Sequence, residues 1–449
     1  MRVTRAWLFA LCASCGFSPP GAATGDAGSA TGSASCNAGD HQCAGRVLQT
    51  CGADGMWDPT QDHNCEFTCA ASACVQPSNI DLPTVNACND LGTAPPLDPG
   101  PNGTVTYQMP GPELVCSPAC GSVMTIAPAE TTVDGEAWFC VSSINLQAGA
   151  KLVVGPMAPK DALGFIVDTT ATIAGRISVD GQNAIQSHGG GGPGGIAGPG
   201  GFTGAVQDDS VGANGQGSAG GDGGDHMDCQ SSGNWAGGGG GGGGNFGSGA
   251  SGGAGGCSQN TVVNGGGGGP AEFAHDLIPL VGGGGGGGGG DATGGVGDGW
   301  AGGGGGGAVQ IAARLSISIA GEISAAGGNG FGGATTIDGG GGGGGGGGVL
   351  LESPMVMIAG AIVVDGGNGG PSGAGSPGGM GATSNAAAMP GTSFDPTMRG
   401  GGTGGGGGGG LVMLRGVNAQ CSANISPVAS CQSTTLAAAL GFDSLSGTR

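Results

Sequence analysis

Residues 317–329 read ISIAGEISAAGGN, and two other segments align on them without a gap: ATIAGRISVDGQN at 171–183 and VMIAGAIVVDGGN at 356–368. Their central glycines are Gly175, Gly321 and Gly360. Two residues before each stand Ile173, Ile319 and Ile358; two after stand Ile177, Ile323 and Ile362; four after stand Val179, Ala325 and Val364. Between them lie polar residues, among them Arg176, Glu322, Ser178, Ser324, Asp180 and Asp365. Apolar residues at every second position define a strand with one buried face, because successive side chains leave a pleated backbone on opposite sides. Parity therefore predicts parallel stacking, with Ile173, Ile319 and Ile358 in one inward column and Ile177, Ile323 and Ile362 in another. Ser324 is expected to face water. The Gly-x-Asn endings at 181–183, 327–329 and 366–368 read as turns, since Gly and Asn tolerate positive φ.

A unit of short strands cannot bury its apolar face alone and must stack on copies of itself. Further strand material lies in the alternation Ile144, Leu146, Ala148, Ala150, Leu152, Val154, and in the apolar pieces 165–167, 309–311, 349–351 and 411–414. The expected fold is mainly β: an irregular parallel β-solenoid or β-roll over 134–416, its rungs interrupted by long polyglycine loops. The copies are unevenly spaced, with 146 residues from Gly175 to Gly321 and 39 from Gly321 to Gly360. A long glycine-rich insertion at 185–307 accounts for the larger step.

Glycine supplies 116 of the 449 residues, far above its usual share of about 7%. No Gly-X-Y period is present, which excludes collagen. Unbroken runs occupy 237–244, 282–290, 339–348 and 404–410. Two readings stay open. As solvated loops, the runs avoid an ordering cost of about 1–2 kcal/mol per residue that no side-chain burial offsets, and they exchange amide hydrogens before the rungs do. As polyglycine II strands, they pair in all directions because only glycine lets backbones approach so closely.

The N-terminus reads as a targeting segment over 1–14: Arg2 and Arg5 precede a short apolar stretch carrying Trp7, Leu8, Phe9 and Leu11. That stretch is too short to span a bilayer. It runs into Cys12-Ala13-Ser14-Cys15, which resembles a bacterial lipoprotein cleavage site with Cys15 as the lipidated residue; Cys12 stands where leucine is usual. Ordinary cleavage and secretion is the alternative. Residues 15–35 form a flexible tether. Fourteen further cysteines fall into even local groups: Cys36, Cys43, Cys51, Cys65, Cys69 and Cys74; Cys88, Cys116, Cys120 and Cys140; Cys229 and Cys257; Cys421 and Cys431. Even groups predict disulfides made in an oxidising compartment, whereas zinc sites would need close Cys-x2-Cys pairs. The organisation expected is a cysteine-rich module at 36–78 with Trp57, Val47 and Leu48 as its small core, a connector at 79–133 with disulfide cysteines of its own, the repeat domain, and a tail at 417–449 with a local disulfide.

Two resemblances follow from these residues. The segment CNAGDHQCAGRVLQTCGADGMWDPTQDHNCEFTCAASAC at 36–74 resembles short cysteine-rich modules near the N-termini of secreted myxobacterial proteins. Strands ending in Ile-Ala-Gly-x-Ile, separated by glycine runs over roughly 134–416, resemble the large glycine-rich surface proteins of myxobacteria and, more loosely, the PGRS proteins of mycobacteria. The resemblance implies surface exposure and little chemistry.

The chain has a net charge of −21, and its only lysines are Lys151 and Lys160. Phosphate contacts need clusters of cations, so nucleic acid is not expected as a partner. Residues 220–228, GGDGGDHMD, match a nine-residue calcium-binding pattern with Asp225 at the ligand position, but such sites form between tandem copies and here there is one. A polysaccharide lyase needs acids and a cation gathered on one face. Lys151 and Lys160 precede the first clear rung, Arg176 and Arg314 fall on unlike positions, and His188, His226 and His275 stand singly, with His41 and His63 read as surface residues. No catalytic, cofactor or metal residue is therefore assigned. The reading is a non-enzymatic structural or adhesion protein at the cell surface or outer membrane, held to the membrane by lipid only, meeting a surface, glycan or matrix partner. A specific binder of glycans, matrix or ice through the repeat face or the cysteine module is the second reading; ice is disfavoured because regular Thr or Ala ranks are missing. A β-helical polysaccharide-active enzyme comes third.

Overall fold

The structure is a computed structural model that describes residues 35–70, 72–80, 85, 88, 94–108, 111–131, 135–156, 160–185, 192–206, 211–228, 235–257, 261–271, 277–291, 299–332, 337–372, 376–383, 387–395, 400–417, 425–426 and 431–434. It is mainly β. Two compact units divide the chain: residues 1–41 with 49–62, and residues 42–48 with 63–449. In the first, the Cys36–Cys51 disulfide closes a loop within which Cys51 N–H donates to Asp40 O at 2.8 Å and Gly39 N–H to Cys51 O at 3.0 Å. Trp57 in the first unit and Val47 and Leu48 in the second are each half-buried. So short a segment has little apolar surface to bury, and covalent links take over that role.

Three large sheets dominate the second unit, beside smaller two-stranded ones. One holds seven strands in the order Cys431–Thr434, Leu411–Arg415, Gly348–Glu352, Ala308–Ala313, Ala162–Val167, Glu136–Val141 and Glu130–Thr131. A second holds Ile144–Leu146, Thr170–Ile173, Ser316–Ile319 and Val356–Ile358. The third runs Ile425–Ser426, Ala361–Val363, Glu322–Ser324, Arg176–Ser178, Lys151–Val154, Thr104–Gln108, Glu113–Cys120 and Val123–Ile126. Within these three sheets the pairings are parallel except at the chain-early edges, where Glu130–Thr131 runs antiparallel to Glu136–Val141 and Glu113–Cys120 runs antiparallel to both Thr104–Gln108 and Val123–Ile126. The residues read as a connector supply strand Thr104–Gln108, in register with Lys151–Val154, and Leu97 bridges to Ile144. Strands of the tail continue the opposite edges.

The register matches the parity of the aligned segments. Ile173 faces Ile319, which faces Ile358; Ile177 faces Ile323, which faces Ile362. Five of these six isoleucines are fully buried and Ile358 is half-buried at the end of its column. A third inward column, Phe139–Phe165–Ile311–Leu351–Leu414, comes from the apolar pieces. Those strands read as continuous apolar runs because both faces of their sheet are covered. On the outer face Phe67, Val85 and Cys88 pack against Trp138, Ile166 and Ala312, and Cys88 is joined to Cys140. Gly164 makes room there: a Cβ would lie 2.5 Å from the Trp138 ring.

Two expectations are overturned. Ser324 does not face water; it is buried, and its hydroxyl donates to Asp180 Oδ1 at 2.5 Å. It is the last residue of its strand, where the pleat ends, and the turn before it offers a carboxylate that also accepts Ser178 Oγ at 2.6 Å and Ala326 N–H at 2.8 Å. The asparagines of the Gly-x-Asn endings do not take positive φ. They form a ladder instead: Asn329 N–H donates to Asn183 Oδ1 at 2.7 Å, Asn368 N–H to Asn329 Oδ1 at 2.8 Å, and Gly381 N–H to Asn368 Oδ1 at 2.9 Å. Stacked in-register asparagines satisfy one another's backbones in this way.

Beyond the ladder the glycine runs are ordered. In 282–290 the partner of the amide changes with a period of three: Gly283, Gly286 and Gly289 donate to Gly306, Gly303 and Trp300; Gly284, Gly287 and Gly290 to Gly244, Gly241 and Gly238; Gly285 and Gly288 to Gln216 and Ala213. Its carbonyls accept from Phe202 and Ala205, from Gly221 and Gly224, and from Gly339, Gly342 and Gly345. The run is thus bonded to six neighbours at 2.7–3.1 Å and is wholly buried. Run 339–347 is built alike, donating to 284–290, 402–408 and 325–331 and accepting from 240–243, 303–306 and 367–370. A partner that repeats every third residue is the signature of a three-residue-per-turn extended helix. Of the two open readings, the hydrogen-bonded polyglycine strand holds for these runs, and early exchange of their amides no longer follows.

Two predictions rest on this packing. Ile323→Asp should cost about 3–5 kcal/mol for an unpaired buried charge and unfold the unit. Ser324→Asp should also destabilise it by setting a second carboxylate against Asp180, while Asp at exposed Thr172 is tolerated; urea denaturation followed by circular dichroism separates the three. Within run 282–290, a Cβ on Gly287 would lie 2.0 Å from Asp222 O, whereas on Gly288 the nearest atom is 3.3 Å away. Gly287→Ala should therefore cost about 2–3 kcal/mol or more and Gly288→Ala under about 1 kcal/mol. Equal urea midpoints for the two would contradict the lattice.

Candidate functional site

Each turn bends sharply at its Ala-Gly step. Ala174 and Gly175 N–H both donate to Leu146 O, Ala320 and Gly321 to Ile173 O, and Ala359 and Gly360 to Ile319 O, all at 2.8–2.9 Å. A Cβ on Gly175 would meet Ala150 O at 2.1 Å, and one on Gly321 or Gly360 the preceding glycine's carbonyl at 1.9 Å. Only glycine allows the corners to stack this closely. Stacked, they form the floor of an open trench of about 700 Å³.

One wall of the trench is charged. Lys151, Arg176, Glu322 and Ala361 occupy one register position on successive strands. Arg176 Nη2 lies 3.2 Å from Asp180 Oδ2 and 3.3 Å from Glu322 Oε1, with the Arg176 side chain half exposed. Lys151 therefore does not precede the first rung, as its sequence position implied, but stands beside Arg176. Two additional residues between Leu146 and Leu152, relative to Ile173 and Ile177, hide the match; Gly149, at φ +84°, absorbs them. The visible signal was the alternation 144–154 continuing past the interruption.

A second polar group is closed off from solvent. The buried Glu352 carboxylate accepts Ser78 N–H at 2.9 Å, Ser78 Oγ at 2.7 Å, Gln310 Nε2 at 2.6 Å and Arg415 Nη1 at 3.3 Å. Burial pushes this carboxyl up, while the Ser78 hydrogen bond and the Arg415 charge pull it down. Arg314, equally buried, pairs with Asp168, donates to Glu66 O at 3.3 Å and lies 5.7 Å from the Phe67 ring centre. Both clusters fasten Glu66, Phe67 and Ser78 across the outer face of the seven-stranded sheet, and sequence reasoning missed them because their partners lie far apart along the chain.

The remaining sites are dispersed. Disulfides join Cys36–Cys51, Cys43–Cys69, Cys65–Cys74, Cys88–Cys140 and Cys116–Cys120, each within one of the local groups, and Cys257 is also disulfide-bonded. Such a set suits an oxidising environment. Cys15, Cys229, Cys421, His188 and His275 lie outside the described residues, as do the leader and almost all of the tether. Asp225 receives Asn264 Nδ2 at 3.3 Å, and residues 219–225 serve as a bundle strand whose carbonyls accept from Gly238, Gly241 and Gly244. Among the described residues no group of three or more His, Cys, Asp or Glu is arranged to hold a metal ion. Comparison with known protein families, curated proteins and solved structures found no match to the chain.

The buried carboxylate yields a prediction. Glu352→Ala leaves Arg415 without its anion in a buried position, which should cost about 3–5 kcal/mol. Chemical denaturation of the disulfide-intact protein measures the loss, and an unchanged midpoint would show that the cluster fastens nothing.

Proposed function

We propose that this chain is an exported, non-enzymatic scaffold displayed at the cell surface, in which a three-sided parallel β-solenoid carries a polyglycine II bundle on one flank. The six-neighbour hydrogen bonding of run 282–290 is the observation that carries this reading. A bundle built of hydrogen-bonded glycine backbone offers shape and stiffness in place of side-chain chemistry. The disulfides agree with an exported chain. Lipid on Cys15, followed by the 15–35 tether, would hold the scaffold clear of the membrane, as the resemblance to glycine-rich bacterial surface proteins implies.

Labelled palmitate supplied to an expressing Gram-negative host should enter the protein, and Cys15→Ala should abolish the label and release the chain from the membrane fraction. Equal membrane association of both forms would sink the anchor. Failure of protease added to intact cells to reach the chain would sink surface display.

A further inference from the structure

The trench at the Ala-Gly corners has features that stacking alone does not require. Its glycines are forced by the carbonyls beneath them, but its alanines are not. Ala320 and Ala359 are exposed and Ala174 is half-buried, so longer side chains would be accommodated there; all three turns nevertheless keep alanine and leave the floor clear.

The charged wall is the second feature. Like charges on neighbouring strands repel and weaken a sheet, yet Lys151 and Arg176 are direct register partners. Cations are scarce in this chain, which carries only ten Lys and Arg against 31 acids. Arg314 and Arg415 are buried in ion pairs, and Arg46 donates to the carbonyls of Cys65 and Glu66. Two of the solvent-facing cations, Lys151 and Arg176, are thus stacked on one wall of one trench, Arg176 also pairing with Asp180 and Glu322.

We propose that the trench binds an extended acidic polysaccharide, a uronate chain lying along the Gly175–Gly321–Gly360 floor with its carboxylates against Lys151 and Arg176. The corner amides already donate to the preceding turn, so a peptide strand finds no free ladder to pair with and side chains must make the contacts. Successive turns are separated by about 4.8 Å, close to the advance of one sugar ring. A nucleic acid is a poorer fit, because the trench has no aromatic platform for bases and its two cations sit in a strongly acidic chain. Glu322 closes the cationic stretch and repels an anion from the far end, which sets a direction for the ligand.

This deepens the scaffold reading by naming its partner, and the two can fail separately: cell fractionation tests display, whereas titration of the purified full mature chain tests the trench. Calorimetry with a short oligogalacturonate should show binding that weakens as salt rises, with none for a neutral malto-oligosaccharide of equal length. Lys151→Glu and Arg176→Gln should each weaken it about tenfold or more. Glu322→Gln should tighten it, a sign that a purely structural ion pair would not give. Ala359→Tyr, which fills the floor without altering charge, should abolish it, with the melting temperature of every variant near that of the parent. Equal binding of the neutral sugar, preference for single-stranded DNA, or indifference to Ala359→Tyr would each overturn the proposal.

Discussion

The glycine bundle of the second unit depends on one contact: a glycine amide meeting the carbonyl of a strand so close that no Cβ could stand between them. Ordering glycine is costly, because it surrenders more backbone freedom than any other residue and returns no buried side chain. The bundle offsets that cost by using both polar groups of each central residue and by letting six backbones surround one. At Gly239, Gly242 and Gly342 a Cβ would lie 1.9–2.0 Å from a neighbouring carbonyl oxygen. Glycine in these runs is thus a packing residue, and its abundance is the consequence of a lattice in which nearly every interior site is equally crowded.

The lattice and the sheets are one structure, since the same strands pass from one to the other. Residues 177–183, 323–329 and 362–368 begin as isoleucine rungs, pass through the buried Val179, Ala325 and Val364, and end as asparagine-laddered bundle strands. Gly304 and Gly307 donate to Gln182 and Val179, Gly344 and Gly347 to Gly328 and Ala325, and Gly407 and Gly410 to Gly367 and Val364. The isoleucine columns therefore set the register of the glycine runs. A homopolymer run has no phase of its own, and a slip by one residue would leave its own hydrogen bonds nearly unchanged. Side chains with a unique inward parity remove that degeneracy, so the hydrophobic part specifies and the glycine part fills.

This division explains what could be read from the sequence. The strand parity, the parallel stacking and the isoleucine columns were legible because apolar side chains alternate on them. Ser324 was misread because parity fails at the last residue of a strand, where Asp180 of the adjacent turn competes for the hydroxyl. The repeated Asn183, Asn329 and Asn368 were noticed, but a turn and a ladder use the same residue and only the neighbouring backbone distinguishes them. Order in the glycine runs could not be read, since identical residues carry no pattern and their partners, such as Gly240 with Gly340, lie far along the chain. Of the trench, Arg176 and Glu322 were visible in the aligned segments, while Lys151 was concealed by the longer corner at Gly149.

A fold of this kind arranges its side chains in a particular way. Its interior is largely hydrogen-bonded backbone, and among its buried charges Glu352 pairs with Arg415 and Arg314 with the partly exposed Asp168. Side chains that the sheets present outward recur at fixed intervals. In the parallel stack those intervals are set by strand spacing and not by loop conformation, so a residue chosen on one turn is held in line with its counterparts on the next. Positions therefore repeat along the stack while the residues on them differ, as Lys151, Arg176, Glu322 and Ala361 do along one register row.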